Sequence, residues 1–413
     1  MSSKQQTLIL VLIVILRLCL VMLPSFKIDM NDWQAWSARL IETTPINFYS
    51  PNYFSDYFPG YLYLLWFLGA SFNFLFPHLS IFSSGFEIYL KLFTNIFDFA
   101  TAYYIYKIVS KYQKRLGLSA SIFYLANPAL AFNSSIWGQV DGILTFFLIY
   151  FTYCLLELKN IYLFSIFSAL SVLIKPQGLA IFPVIIVHLI RNFKISKYIN
   201  LLLIPTILIL LSLPFFTKDP ILGLFHLFQK SANTYPYTSM FSYNFWSITG
   251  WWVSDSTKFL GISYQYWGIF MFLFILTLII IPLFILKGYK KNILIYFAMS
   301  LASFAFFLFL TRIHQRYLFP FFSFLLITVF VISSLKLKII YLVLSSVHLI
   351  NLWYVYYYYN YVYSNSNAAK FIIYNFFNMS YNWLTLINLV SFGVLMLIFY
   401  RLSFSLKNVK QTL

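Results

Sequence analysis

The chain predicts an all-α polytopic membrane protein. About 12 transmembrane helices (11–13) are expected, with an amphipathic helical first external loop. Three observations lead there. Of 413 residues, 61% are hydrophobic and 9% are charged, and the mean hydropathy is +0.80. The apolar residues form runs, many of which reach the roughly 17–25 positions a helix needs to cross ~30 Å of hydrocarbon. The 28 Lys and Arg, against 10 Asp and Glu, sit in short loops between those runs, which is the bias of cytoplasmic loops.

In order, the runs are 7–24, 57–77, 88–108, 118–136, 140–157, 161–175, 177–191, 198–216, 263–287, 292–310, 317–335, 337–358 and 383–400. The first lacks a small-residue cleavage site and reads as an uncleaved helix. Runs 161–175 and 177–191 abut at Lys175-Pro176 and read as helices meeting at a buried break. Cations at Lys4, 107–115, Lys159, 191–197, 287–291, 336–338 and 401–410 all fall on the cytoplasmic side if one early run does not cross. Run 57–77, with Pro59, Gly60 and Gly69, is the one expected to be re-entrant or held at the external face. This reading gives a multi-pass plasma-membrane protein with both termini cytoplasmic. It forms one domain over 1–413, with a first external loop at 25–56 and a long one at 217–262.

Carboxylates in such a chain need reasons, because an ionised Asp at mid-bilayer costs about 2.5–3.5 kcal/mol. Asp29, Asp32, Glu42, Asp56, Glu87, Asp141, Asp219 and Asp255 fall on the external face, and Glu157 on the other. Asp98 lies within a run, as does Arg17, and the two are expected to pair. A net charge of +18 in short loops points to anionic lipid as partner, not nucleic acid. Cys19 and Cys154 lie in apolar runs and imply no disulfide. No Gly-rich nucleotide loop, HExxH, CxxC or GxSxG motif occurs. No cofactor is required, although Asp29 and Asp32 could share a divalent ion.

Four groups of residues have types suited to chemistry. In loop 25–56, Trp33, Trp36, Leu40 and Ile41 have helical spacing and predict an amphipathic helix lying on the membrane surface. Asp29 and Asp32 then serve as helix caps or as a base at the water–lipid boundary. Asp56, before Pro59-Gly60, is either another cap or a further catalytic carboxylate. Trp137, Gln139 and Asp141 lie between two runs, and suit a sugar by ring stacking and hydroxyl hydrogen bonds; a tight helical hairpin is the plainer alternative. Lys175 and Gln177 flank Pro176 at the break, where a lysine and freed amides suit an anion; a snorkelling lysine is the alternative. Arg312, His314 and Arg316 put two guanidiniums and an imidazole within five positions, which suits a phosphate; a turn contacting lipid headgroups is the alternative.

Taken in order, these motifs resemble the GT-C superfamily of integral-membrane glycosyltransferases. The similarity is to prokaryotic relatives of the GPI mannosyltransferases and to dolichyl-phosphate-glucose-dependent glucosyltransferases. It rests on Asp29 with Trp36, on DYFPG at Asp56–Gly60, on Asn127-Pro128 followed by Trp137–Asp141, and on Ile313–Tyr317. Phe58 replaces a proline of the pattern, and Gln315 stands where an acid is common. The similarity covers roughly residues 25 to 320 and leaves 335–413 as variable C-terminal helices. It implies a polyprenyl- or dolichyl-phosphate sugar as donor, with a glycan or glycolipid as acceptor. A hexose, mannose or glucose, would move with inversion on the external face. Asp29, with Asp32 and Asp56 beside it, would supply the base. A polytopic secondary transporter and a non-catalytic polyprenyl-phosphate-binding subunit are the alternatives.

Overall fold

The computed structural model describes residues 3–192, 195–284, 291–362 and 367–408. Lys194, Lys287, Lys290 and Lys410 of the expected cytoplasmic clusters lie outside the described residues. The helices begin with α1 (Ser3–Leu20), α2 (Lys27–Thr43), α3 (Pro59–Leu75), α4 (Ser84–Tyr112), α5 (Gly117–Leu125) and α6 (Pro128–Ala131). A π turn over Phe132–Trp137 leads to α7 (Asp141–Leu156), α8 (Ile161–Ile174) and α9 (Phe182–Asn192). Then come α10 (Leu203–Ser212), α11 (Pro220–Asn233), α12 (Tyr264–Ile280) and α13 (Lys291–Phe309). The series ends with α14 (Phe319–Ile332), α15 (Leu335–Tyr357) and α16 (Asn367–Asn408). The described residues hold one small antiparallel hairpin, Lys258–Phe259 with Ile262–Ser263. The chain is all-α, as expected.

Two compact units form. The first comprises Met1–Tyr104, Ala131–Gly178 and Lys194–Thr234. In it α7 packs along α8, α2 along α3, and α8 against α10 and α3. The second comprises Ile105–Leu130, Leu179–Phe193 and Tyr235–Leu413. Its centre is α13, buried on nearly every face and packed on α14, α12 and α16.

Five helical segments among the described residues are long and apolar enough to cross a bilayer: Tyr264–Phe284, Lys291–Phe309, Gln315–Ile332, Leu335–Tyr361 and Tyr381–Phe404. This suits a membrane-embedded protein but not the expected count of about twelve. The expectation fails because an apolar run is not one helix. Run 118–136 breaks at Asn127-Pro128, since proline has no N–H and crowds the preceding residue. Runs 140–157, 161–175 and 198–216 yield shorter apolar helices. Helix α4 is long enough, but it carries Glu87, Lys91, Asp98, Lys107 and Lys111.

Helix α2 forms where its apolar spacing predicts, but its apolar face does not lie against lipid. Trp33, Trp36 and Leu40 are buried, and α3 covers them. The Ser37 hydroxyl donates to Leu65 O at 2.9 Å. At Gly69 the backbone is so close that a Cβ would sit 2.1 Å from Ser37 Oγ. A small residue in α3 therefore converts an expected surface helix into a packed one. Segment 57–77 contributes α3, whose buried stripe of Tyr61, Leu62, Leu65, Leu68, Gly69 and Phe72 follows the helical period.

Candidate functional site

In the first unit the residues singled out in the sequence gather around the turn that precedes α7. Gly138 stands there at φ +88°, in the left-handed region that favours glycine. A Cβ on it would meet Lys91 Cγ at 2.9 Å and Met30 Cε at 3.0 Å. That close approach turns the Trp137 and Gln139 side chains toward α2. The Trp137 indole N–H donates to Asp29 Oδ2 at 2.8 Å, and the Gln139 amide donates to the same oxygen. Phe26 stacks on the Trp137 ring at 4.2 Å. Trp137 and Gln139 are fully buried, whereas Asp29 is half-buried.

Asp29 thus lies in the first turn of α2 without capping it: the N-cap residue is Phe26, and no side chain caps there. Asp56 is not a cap either, since α3 starts at Pro59 with Phe58 before it and no side-chain cap bond. Both carboxylates act on Asp32. Burial first, then the charges of Asp29 and Asp56, push the Asp32 carboxyl up to about 6. Three half-exposed carboxylates therefore share one region at the N-terminal ends of α2 and α3. No cation pairs with Asp29 among the described residues.

Behind this surface lie two buried ion pairs. Lys175 Nζ donates to Asp141 Oδ1 at 2.7 Å, with both side chains at most 5% exposed. Asn133 donates to Asp141 Oδ2 at 3.2 Å. Lys175 is extended because α8 stops before Pro176. Gln177 follows the break, and its buried Oε1 has no hydrogen-bond partner among the described residues. The expected Arg17–Asp98 pair also forms, at 2.7 Å. Arg17 reaches Ser135 as well, at 3.4 Å, and Ser135 donates to Asn95 at 2.7 Å. Helices α1 and α4 thereby clamp the turn that carries Trp137 and Gln139.

Lys91 was not foreseen. It is buried within α4, donates to Leu23 O at 2.6 Å, and packs under Gly138. Its signal in the sequence is Glu87 four positions earlier on a helix, an i,i+4 acid–base spacing. Glu87 accepts from Ser25, so the chain entering α2 is tied to α4 at two points.

In the second unit the Thr311–Tyr317 turn is held by the long loop 217–262. Asp255 accepts from Arg312 Nε at 2.7 Å and from Thr311 Oγ1 at 3.0 Å. The Arg312 N–H donates to Tyr237 O at 2.8 Å, and Arg312 adopts φ +65°. His314 bridges Met240 and Phe241 through its backbone and meets Tyr235 and Tyr317 edge-on at 5.3 Å. Arg316 is buried to 9% exposure beside the Tyr317 ring. Asp255 is the acid that sequence reasoning left out of the site, and it answers the charge of Arg312. Asn127, from the expected Asn-Pro element, also lies in this unit and bonds Tyr341 and Ser345 at 2.8 Å each.

Comparison with known proteins gives this geometry no family: no protein-family model matches the chain, and no curated protein matches it.

Proposed function

We propose that the protein is a membrane glycosyltransferase. It would move a hexose, mannose or glucose, from a polyprenyl-phosphate donor to a glycan or glycolipid hydroxyl. The observation that carries this reading is Asp29. Its carboxylate is oriented by two neutral donors, Trp137 and Gln139, and is not paired with a cation. An acid held in this way keeps an oxygen available to take a proton, whereas an ion-paired one is committed to its partner.

In the proposed reaction the acceptor hydroxyl attacks the anomeric carbon and gives its proton to Asp29. The carbon–oxygen bond to phosphate breaks as the new one forms, and the phosphate leaves with the electron pair. One displacement inverts the centre. Asp32 and Asp56 raise the negative potential around the base. Trp137 and Gln139 orient it, while Asp141 holds Lys175 in place. Cationic side chains are needed to stabilise the departing phosphate. Within the first unit the reading assigns that role to Lys175.

The test is mass spectrometry of lipid that co-purifies with the full chain, together with a transfer assay in membranes. A phosphate-linked polyprenyl sugar that is consumed on adding acceptor supports the reading. Bound polyprenyl phosphate with no transfer to any acceptor would replace it with a lipid-binding subunit.

A further inference from the structure

Helix α11, in the first unit, has three distinct edges, and the proposed reaction uses none of them. Asp219 caps the helix: its carboxylate accepts from the N–H groups of Ile221 and Leu222 at 3.0 and 2.9 Å, and Pro220 takes the first helical position. One edge is packed. Leu227 is buried and Leu224 half-buried, and α10 lies alongside. At Gly223 the backbone approaches so closely that a Cβ would sit 2.3 Å from Phe216 Cγ.

The second edge is polar and exposed: His226, Gln229, Lys230 and Asn233 recur at helical spacing. The third edge is Ile221, Leu222, Phe225 and Phe228, at positions i, i+1, i+4 and i+7, and all four are exposed as well. A helix on the surface of a soluble domain needs only a packed edge and a polar one. An open apolar stripe of Leu, Ile and Phe beside a polar edge with Lys is the pattern of a helix lying in the plane of a membrane surface. The sequence predicts such a helix around Trp33, but α3 covers that one, whereas the stripe of α11 stays open.

The surroundings of the stripe point to lipid as its cover. The segment leading into α11 exposes Leu202, Leu210 and Leu213, in a chain with helices apolar and long enough to cross a bilayer. The stripe thus continues an apolar outer surface. Lys218, just before the helix, and Lys230, in its last turn, are both exposed, and their charges complement the phosphates of lipid headgroups. Phe228 also meets Phe58 edge-on at 6.5 Å, which ties the stripe to the residue preceding α3. We propose that α11 lies in the membrane–water interface, with Ile221, Leu222, Phe225 and Phe228 among the acyl chains of one leaflet. The inference stands without the transfer reaction.

The test places single cysteines in the full chain, whose own cysteines are removed by Cys19→Ser and Cys154→Ala. Each new cysteine carries a nitroxide label. Collision of the label with oxygen and with a water-soluble nickel chelate is read by electron paramagnetic resonance in phospholipid nanodiscs. Ile221→Cys, Phe225→Cys and Phe228→Cys report the stripe, and His226→Cys and Lys230→Cys the polar edge. All five side chains are exposed, so their replacement leaves the packed edge intact. The expected result is an oxygen-to-nickel collision ratio several-fold higher on the stripe than on the polar edge, following the helical period. Leu227→Cys, on the packed edge, gives the reading of a position covered by protein. Equal nickel access on both exposed edges would put the stripe in water and overturn the proposal. Stripe labels shielded from both reagents, as at Leu227→Cys, would show a protein cover and overturn it equally.

Discussion

Asp29 and Asp255 are two acids with opposite surroundings. Asp255 is 1% exposed, meets Arg312 at 2.7 Å, and takes a further bond from Thr311. Asp29 is half-exposed and receives only neutral N–H donors. The first arrangement spends the carboxylate on holding a turn. The second fixes its direction and leaves its other oxygen outside those two bonds. The two acids are told apart by the chemistry of their neighbours as much as by burial.

The comparison can be broken at several points. The largest effect is expected at Lys175. Lys175→Met should destabilise by about 3–5 kcal/mol, because it strands Asp141 in a buried site. Asp141→Asn combined with Lys175→Met should recover much of that loss, as measured by thermal unfolding in detergent. Next comes Asp255→Asn. Removing the carboxylate leaves Arg312, 19% exposed at its side chain, without its counter-charge. A loss of about 2 kcal/mol is expected, read as a lower unfolding temperature. A loss of transfer with an unchanged unfolding temperature would instead place Asp255 in the chemistry.

Trp137→Phe should act more gently and in the other register. The ring that stacks on Phe26 remains, but the N–H that orients Asp29 is gone. Transfer should fall about tenfold, the worth of one hydrogen bond to a charged group, with a stability loss of about 1 kcal/mol as a smaller ring fills the buried indole site. The smallest effect concerns Asp32. Its carboxyl is raised to about 6 in the folded chain, against an ordinary 3.8. The folded state therefore holds more protons between those values, and stability falls as pH rises through that window. Asp32→Asn should be neutral near pH 4 and stabilising at pH 7.5. The gain is about 1 kcal/mol, allowing for solvent screening at a half-exposed side chain. Melting curves across that pH range would show it, and a stabilisation that did not vary with pH would contradict it.

Local signals in the sequence were legible and long-range ones were not. The period of Trp33, Trp36 and Leu40 gives α2. The Trp137–Gly142 turn stands out because Trp, Gln, Asp and two glycines are rare between apolar runs. The cost of isolated buried charges made the Arg17–Asp98 pair foreseeable. The partner of Arg312 was not, since Asp255 lies in a long loop whose course no periodicity reveals. Nor was the cover on α2, which depends on Gly69 allowing α3 to approach. The span count was overread because hydropathy along the chain does not show where proline and buried charge interrupt a helix.

The most direct measurement is sugar transfer from a polyprenyl-phosphate donor by Asp29→Asn, normalised to folded protein. The substitution preserves shape and acceptor capacity at Oδ1 but removes the basic carboxylate. We expect transfer to fall at least about 100-fold, the scale of general-base catalysis, with the unfolding temperature unchanged within a few degrees. Transfer at the wild-type rate would remove Asp29 from the reaction and the account with it.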